Sequence, residues 1–358
     1  LADKKVAVGM SGGVDSSVAA ALLVEQGYDV IGVTMQVWND EYAPEDGGGD
    51  AHACFGPGEA ADIEDARIVA DQLDIPFHVV DLREEYEEIV LDYFRAEYNQ
   101  GRTPNPCLRC NRRLKFGALL EALEVAGLDW DYYATGHYVR CREENGRHLL
   151  LRGVDSAKDQ SYFLYSLSQQ QLARTLFPLG ELTKKEVRDR ASELGLKVEE
   201  KAESQDFYAG DYTDLLEGAG RPGPIVDTSG KKIGEHEGIE KYTFGQRRGL
   251  GVSVGHPIYV IDIDAAENKL VVGKREELFD ERMQVEQLNW ILPPSELENQ
   301  SVEVQIRYRH SPARARLKEV GEDCVEVDFE QPQRAVTPGQ AAVFYSGDRV
   351  LGGGIITE

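Results

Sequence analysis

Two segments of this 358-residue chain carry residue types whose spacing can do chemistry. The first is Gly9-Met10-Ser11-Gly12-Gly13-Val14-Asp15-Ser16-Ser17. Glycines let a backbone approach a polyanion closely, and a helix that starts here offers unpaired N–H groups and the positive end of its dipole. Ser11, Ser16 and Ser17 add hydroxyl donors. Asp15 can hold Mg2+ or cap the helix. No Gly-Lys-Ser/Thr closes the loop, and it is not Gly-x-Gly-x-x-Gly, so it is neither a Walker loop nor a dinucleotide fingerprint. The bland reading is a Gly/Ser turn capped by Asp15.

The second segment is Arg102-Thr103-Pro104-Asn105-Pro106-Cys107-Leu108-Arg109-Cys110-Asn111. Two thiols at this spacing, held by prolines, suit metal ligation or redox work. Arg109, Arg112, Arg113 and Lys115 should favour thiolate over thiol. Alone the pair is a weak motif, and two small turn residues are its plain alternative. Cys54 lies in a Gly-rich stretch that follows the second predicted strand, on the side of the sheet where the first loop emerges. Cys54, Cys107 and Cys110 can therefore converge, while Cys141 and Cys324 sit in strand-like surroundings and read as structural.

The elements that must position these residues follow from periodicity. Strands are predicted at 4–9, Asp29–Met35, Phe77–Val80 and Tyr132–Thr135, and helices at about 16–26, 60–73, 84–98 and 112–126. Residues 39–60 read as a loop and 103–107 as a Pro-rich turn. Strand and helix alternate at the spacing of a doubly wound parallel α/β sheet, whose ligand sits at the carboxyl ends of the strands. After about residue 205 glycine and proline become frequent. From about 283 short alternating strands dominate, as in a small β-barrel or sandwich. The expected domains are 1–205, 206–280 and 281–358.

Bulk properties set limits. The length suggests two or three domains. No long apolar run predicts a membrane span, and no signal peptide is visible, so a cytoplasmic location with no membrane partner is expected. Five cysteines, an odd count, argue against a disulfide framework. A formal net charge of −25 argues against nonspecific nucleic-acid binding. Net charge does not exclude a local basic patch. Arg307, Tyr308, Arg309, His310, Arg314, Arg316 and Lys318 form the densest one, with Arg247 and Arg248 a second cluster. Each is equally readable as a solvated surface. Affinity for nucleic acid through them should fall steeply with salt.

The first loop resembles the Ser-Gly-Gly-x-Asp-Ser loop of PP-loop ATP pyrophosphatases, which cleave ATP between the α and β phosphates. Beyond it, the chain resembles the tRNA-specific 2-thiouridylases (tRNA-uridine 2-sulfurtransferases) along nearly its whole length. The likeness rests on residues 9–17, Met35, Gly101–Asn111, Ala134–Tyr138, Lys158–Leu164, Phe177–Gly180, Glu203–Asp206, Tyr242–Gly249 and Arg307-Tyr308. It implies a Rossmann-like PP-loop catalytic domain, a small central domain and a C-terminal β-barrel. It implies that Gly9, Met10, Ser11, Gly12, Gly13, Val14, Asp15, Ser16, Met35 and Gly136 hold ATP. Cys110 matches the family's nucleophile, and His137, Lys158, Asp159, Gln160, Arg307, Tyr308 and Gln340 match positions that touch tRNA. Two departures stand out. Tyr208 occupies the place of the family's persulfide-bearing second cysteine, and Cys107 stands where many members have Asp.

The reaction implied is adenylation of O2 of an anticodon-loop uridine, followed by attack of sulfur on C2. ATP and Mg2+ are the cofactors, tRNA the substrate, and a cysteine desulfurase or carrier protein the sulfur donor. Tyrosine cannot carry a persulfide, which leaves two sulfur routes. In the favoured one, Cys54, Cys107 and Cys110 hold a [4Fe-4S] cluster whose open iron binds hydrosulfide. In the other, Cys110 bears a persulfide and Cys107 or Cys54 resolves it. The competing classes are a PP-loop amide synthetase and a non-catalytic RNA-binding or sulfur-carrier protein. The first brings a glutamine-hydrolysing domain not visible here. The intact loop argues against the second.

Overall fold

The computed structural model describes residues 4–43, 53–196, 207–216, 220–297 and 300–357. Glu203–Asp206 and most of the Gly-rich stretch before Cys54 lie outside the described residues. The chain forms two compact units. The first comprises Leu1–Ile89, Cys107–Asp211 and Asp348–Val350, and the second Val90–Pro106, Tyr212–Gly347 and Leu351–Glu358.

The first unit is built on five parallel strands: β1 (Lys5–Gly9), β2 (Asp29–Gln36), β3 (Phe77–Asp81), β4 (Tyr132–Thr135) and, after the antiparallel hairpin β5 (Val139–Glu144) and β6 (Arg147–Arg152), β7 (Thr175–Leu176). Their order is β3-β2-β1-β4-β7. Helices α1 (Val14–Glu25) and α2 (Glu59–Gln72) connect the first three. Val6, Ala7 and Val8 are fully buried, as expected of a parallel strand covered on both faces. Val14, Val18, Ala19, Ala20 and Leu23 of α1 pack on β1, β4 and the helix Lys184–Glu193. The strand order reverses between β1 and β4, and Gly9 pairs with both Val33 and Thr135. The crevice beyond those ends is the topological switch point, where open α/β sheets bind ligands.

The predicted helices at 84–98 and 112–126 exist but are not regular. Each contains a π-helical stretch, at Glu87–Leu91 and Cys110–Ala118. The predicted turn at 103–107 is shorter than expected, because a helical turn begins at Pro106. Proline suits a first helical position, where its missing N–H costs nothing.

In the second unit, a four-stranded sheet (Gly223–Asp227, Lys232–His236, Tyr259–Asp264, Lys269–Gly273) surrounds its own core of Ile225, Val260, Leu270 and Val272. Six antiparallel strands follow: Phe279–Trp290, Ser301–Gln305, Ala313–Lys318, Cys324–Arg334, Ala341–Ser346 and Arg349–Ile356. The last pairs with the first (Val285 with Ile356), closing a barrel and removing its open edges. The long strand Phe279–Trp290 escaped the sequence reading because its alternation is broken by exposed polar residues. Among the described residues no helix is long and apolar enough to cross a membrane.

Candidate active site

The nucleotide loop sits at the switch point. Ser11 N donates to Ser16 Oγ at 3.1 Å, and Ser17 Oγ donates to the Gly13 carbonyl at 2.8 Å. These bonds wrap the loop around the start of α1. Gly13 is its N-cap and makes no side-chain capping bond, so the first amides of α1 keep their anion-binding potential. Two glycines are required sterically. Gly12 has φ +70°, and a Cβ there would lie 2.1 Å from the Asp62 carbonyl oxygen. A Cβ on Gly136 would lie 2.7 Å from Ser16 N. Gly136 therefore lets the end of β4 touch the loop. Met10 and Val14 face the core, at 1% and 5% exposure, so they contribute backbone only. Met35, near the end of β2, is half-buried.

Asp15 differs from expectation. It neither caps α1 nor lies ready for Mg2+. Its Oδ1 accepts from Tyr138 Oη at 2.7 Å, and Lys184 Nζ donates to Oδ1 at 2.8 Å and to Oδ2 at 2.9 Å. A carboxylate committed to an ammonium and a phenol does not fit the role of a metal ligand.

The cysteines are all free thiols, with Cys54 exposed and Cys107 and Cys110 half-buried. Tyr86 and Lys115 each feel the charge of all three, so the three thiols share one neighbourhood. Burial would lower Lys115, but Cys110, Cys54 and Cys107 together more than offset that and hold it above its ordinary value. Cys110 is the reverse of the sequence expectation. Burial raises its thiol above the usual range, Lys115 lowers it, and Cys54 raises it further. Of the four basic residues expected to favour the thiolate, Lys115 is the one seen to lower it, and burial outweighs it. Lys115 is five residues from Cys110, which an α-helix would set about 140° apart. The π-helix turns positions i and i+5 toward the same side.

The cluster expectation finds no support in the placement of the thiols. Among the described residues, which include Cys54, Cys107 and Cys110, no group of three or more His, Cys, Asp or Glu is placed to hold a metal ion. As placed, the thiols therefore do not fit a three-ligand iron–sulfur site.

Tyr208 is 4% exposed and donates to the Tyr42 carbonyl at 2.8 Å. Its ring packs against Phe55 with centroids 6.1 Å apart. Phe55 N donates to the Phe207 carbonyl at 2.8 Å, and Ala209 N donates to the Phe55 carbonyl at 3.1 Å. Tyr208 is thus a wall residue, and its segment runs alongside the backbone next to Cys54. Cys141 lies on β5 with its thiol pushed up to about 11 by burial. Cys324 is the exposed first residue of the barrel strand Cys324–Arg334.

The residues matched to tRNA contacts lie in both units. His137 is hydrogen-bonded through Nδ1 to Thr135 Oγ1 at 2.8 Å. Burial, with the Lys115 charge adding to it, pushes its imidazole down to about 3, so it is neutral. Asp159 and Gln160 have internal duties. Asp159 accepts from Gly153 N, Ser161 N and Ser161 Oγ, and Gln160 Oε1 accepts from Tyr138 N at 2.9 Å. Lys158 is half-buried beside them. In the second unit, Arg307 Nη1 donates to the Ala335 carbonyl at 3.2 Å, and the Tyr308 carbonyl accepts from Gln305. Gln340 holds the segment before the cysteine pair, through Thr103 and Pro104. Lys184, Tyr138 and Tyr86 join the site without having been singled out for it. Lys184 lies far along the chain in an ordinary capping box, and no local signal connects it to Asp15.

A parallel sheet whose switch point carries a Ser-Gly-Gly-x-Asp-Ser loop defines a PP-loop, ATP-using enzyme. Family profiles match three stretches: a tRNA methyl transferase HUP domain over residues 4–208, a tRNA methyl transferase PRC-barrel domain over 216–274, and an aminomethyltransferase beta-barrel domain over 280–356. A protein of Geotalea uraniireducens is 48% identical over 99% of this chain and 95% of its own length. One of Syntrophotalea carbinolica is 49% identical over 99% of both, and one of Endomicrobium trichonymphae 45% over 99% of both. All three are named tRNA-specific 2-thiouridylase MnmA. The chain belongs to the tRNA-specific 2-thiouridylase family, a family of tRNA sulfurtransferases.

Proposed function

We propose that this enzyme adenylates O2 of an anticodon-loop uridine, at the wobble position, and replaces it with sulfur carried as a persulfide on Cys110. The observation that supports this reading is the shared neighbourhood of Cys110, Cys54, Cys107 and Lys115 in the unit that holds the nucleotide loop. ATP lies against residues 9–16, Met35 and Gly136. The loop amides and the α1 dipole stabilise the charge that develops on pyrophosphate as the O2–phosphorus bond forms. Mg2+ arrives on the phosphates, and no step here depends on a protein ligand for it.

The terminal sulfur of the Cys110 persulfide then attacks C2, and AMP leaves with the former O2. Sulfur is now bonded to both C2 and Cys110 Sγ. A second thiolate attacks Cys110 Sγ, forming a protein disulfide and releasing 2-thiouridine. An external dithiol reductant restores the two thiols. We assign the second thiol to Cys54, which is exposed and shares the neighbourhood of Cys110. The donor that loads Cys110 is a cysteine desulfurase or a persulfide carrier.

His137, Lys158, Asp159, Gln160, Arg307, Tyr308 and Gln340 form or support the tRNA surface. His137, being neutral, acts there as a hydrogen-bonding group. The functional domains proposed are 1–205, 206–280 and 281–358, and the setting is the cytoplasm. The test is thiolation of unmodified tRNA by the purified protein with ATP, a desulfurase and cysteine. Wild type should form one AMP per 2-thiouridine, and Cys110→Ala should adenylate without thiolating. AMP formation that does not depend on tRNA would refute the reading.

A further inference from the structure

Lys184 opens the helix Lys184–Glu193, where Thr183 and Glu186 form a capping box. Its backbone N–H donates to Asp155 Oδ2 at 2.9 Å. Its side chain is only 12% exposed and reaches across to α1, where both carboxylate oxygens of Asp15 accept from it. The Tyr138 phenol completes the grip on Asp15 at 2.7 Å.

On stability grounds this is a poor place for a cation. The N-terminus of a helix favours negative charge, and a largely desolvated ion pair is a weak source of stability. The location matters more for what lies beside it. Asp15 is the second residue of α1, next to the loop read here as the ATP site. A bare carboxylate there would oppose the charge of a triphosphate through little intervening water.

We propose that Lys184 is a positioning residue for ATP: it neutralises Asp15 at the mouth of the nucleotide loop, so that the loop accepts the triphosphate without a repelling carboxylate. The inference rests on the reading of residues 9–16 as the ATP site. Tyr138 fixes the carboxylate so that one ammonium covers both oxygens, and Gly136 keeps the end of β4 against the same turn of α1.

The test is binding of Mg2+–α,β-methylene ATP to the full chain, measured by calorimetry for wild type and four variants. Lys184→Met should weaken binding by about tenfold or more, the size expected of one uncompensated charge close to the phosphates. Lys184→Arg should stay within about threefold of wild type, since it restores the charge. Asp15→Asn combined with Lys184→Met should bind more tightly than Lys184→Met alone, because the repelling charge is gone. Asp15→Asn alone provides the reference for closing the cycle. A pair that only fastens two helices would lower the melting temperature in every neutralised variant and leave nucleotide affinity unchanged. That result, or a double variant no better than Lys184→Met, would overturn the proposal. If Lys184→Met does not fold, the Lys184→Arg and double variants still decide it: tight binding by Arg and weak binding by a folded double variant would contradict neutralisation. Wild-type protein that shows no saturable nucleotide binding would refute the ATP-site reading itself, a separate failure.

Discussion

Gln340 donates from Nε2 to the carbonyl oxygens of Thr103, at 2.9 Å, and Pro104, at 3.2 Å. Thr103 N in turn donates to the Pro338 carbonyl at 2.9 Å, and Gly339, at φ +91°, has no room for a Cβ against Thr103. The segment that leads into the cysteine pair is therefore anchored by residues 338–340 near the end of the chain. Gln340→Ala removes two side-chain bonds, each worth about 0.5–1.5 kcal/mol net. Thiolation of tRNA should fall severalfold while binding of an ATP analogue stays at the wild-type level. Equal loss of both would show that the anchor serves the whole protein rather than this segment.

Gly12→Ala should be the most damaging small substitution in the loop. It meets a positive φ and a carbonyl oxygen 2.1 Å from the new Cβ. Backbone strain of this kind costs about 1–3 kcal/mol, and the carbonyl clash adds to it. Nucleotide binding by the folded variant should drop at least about tenfold, the equivalent of about 1.4 kcal/mol. Retained affinity would mean that the loop rearranges freely.

His137 links acidity to stability. Its folded value of about 3 lies below the ordinary 6.5, because burial and then Lys115 disfavour the imidazolium. Between those values the unfolded chain takes a proton that the folded chain refuses. Its contribution is therefore present above about 6.5 and is lost as pH falls toward 3. His137→Gln should flatten the fall in melting temperature between about pH 6.5 and pH 4. An unchanged slope would contradict the neutral imidazole.

Cys54→Ala tests the relay. With the second thiol gone, transfer should stop after sulfur has bridged C2 and Cys110, leaving tRNA covalently attached until a small dithiol releases it. A slow-migrating, reductant-sensitive band on a denaturing gel is the expected result. Normal turnover by Cys54→Ala would assign resolution to another thiol.

The sequence exposes the parallel sheet because continuous apolar runs such as Val6-Ala7-Val8 and a Gly-rich loop before a helix have few other solutions. The barrel strands were legible from short alternating runs, with the bent Phe279–Trp290 the exception. What stayed hidden depends on spacing that only tertiary structure supplies. Cys110 and Lys115 fall on one side because the helix is π-wound there, and helical periodicity gives no warning of it. Asp15 and Lys184 are 169 residues apart. The raised Cys110 thiol was missed because counting nearby Arg and Lys residues ignores burial, the larger effect.

The most direct test of the sulfur route is to isolate the protein without oxygen, load it with a desulfurase and cysteine, and determine its iron content and the mass of the Cys110 peptide. The account predicts iron-free protein in which Cys110 carries one extra sulfur atom, and which then thiolates tRNA when ATP is added. A visible absorption band with about four irons per chain, lost together with activity on substitution of Cys54, Cys107 or Cys110, would contradict it and establish cluster chemistry instead.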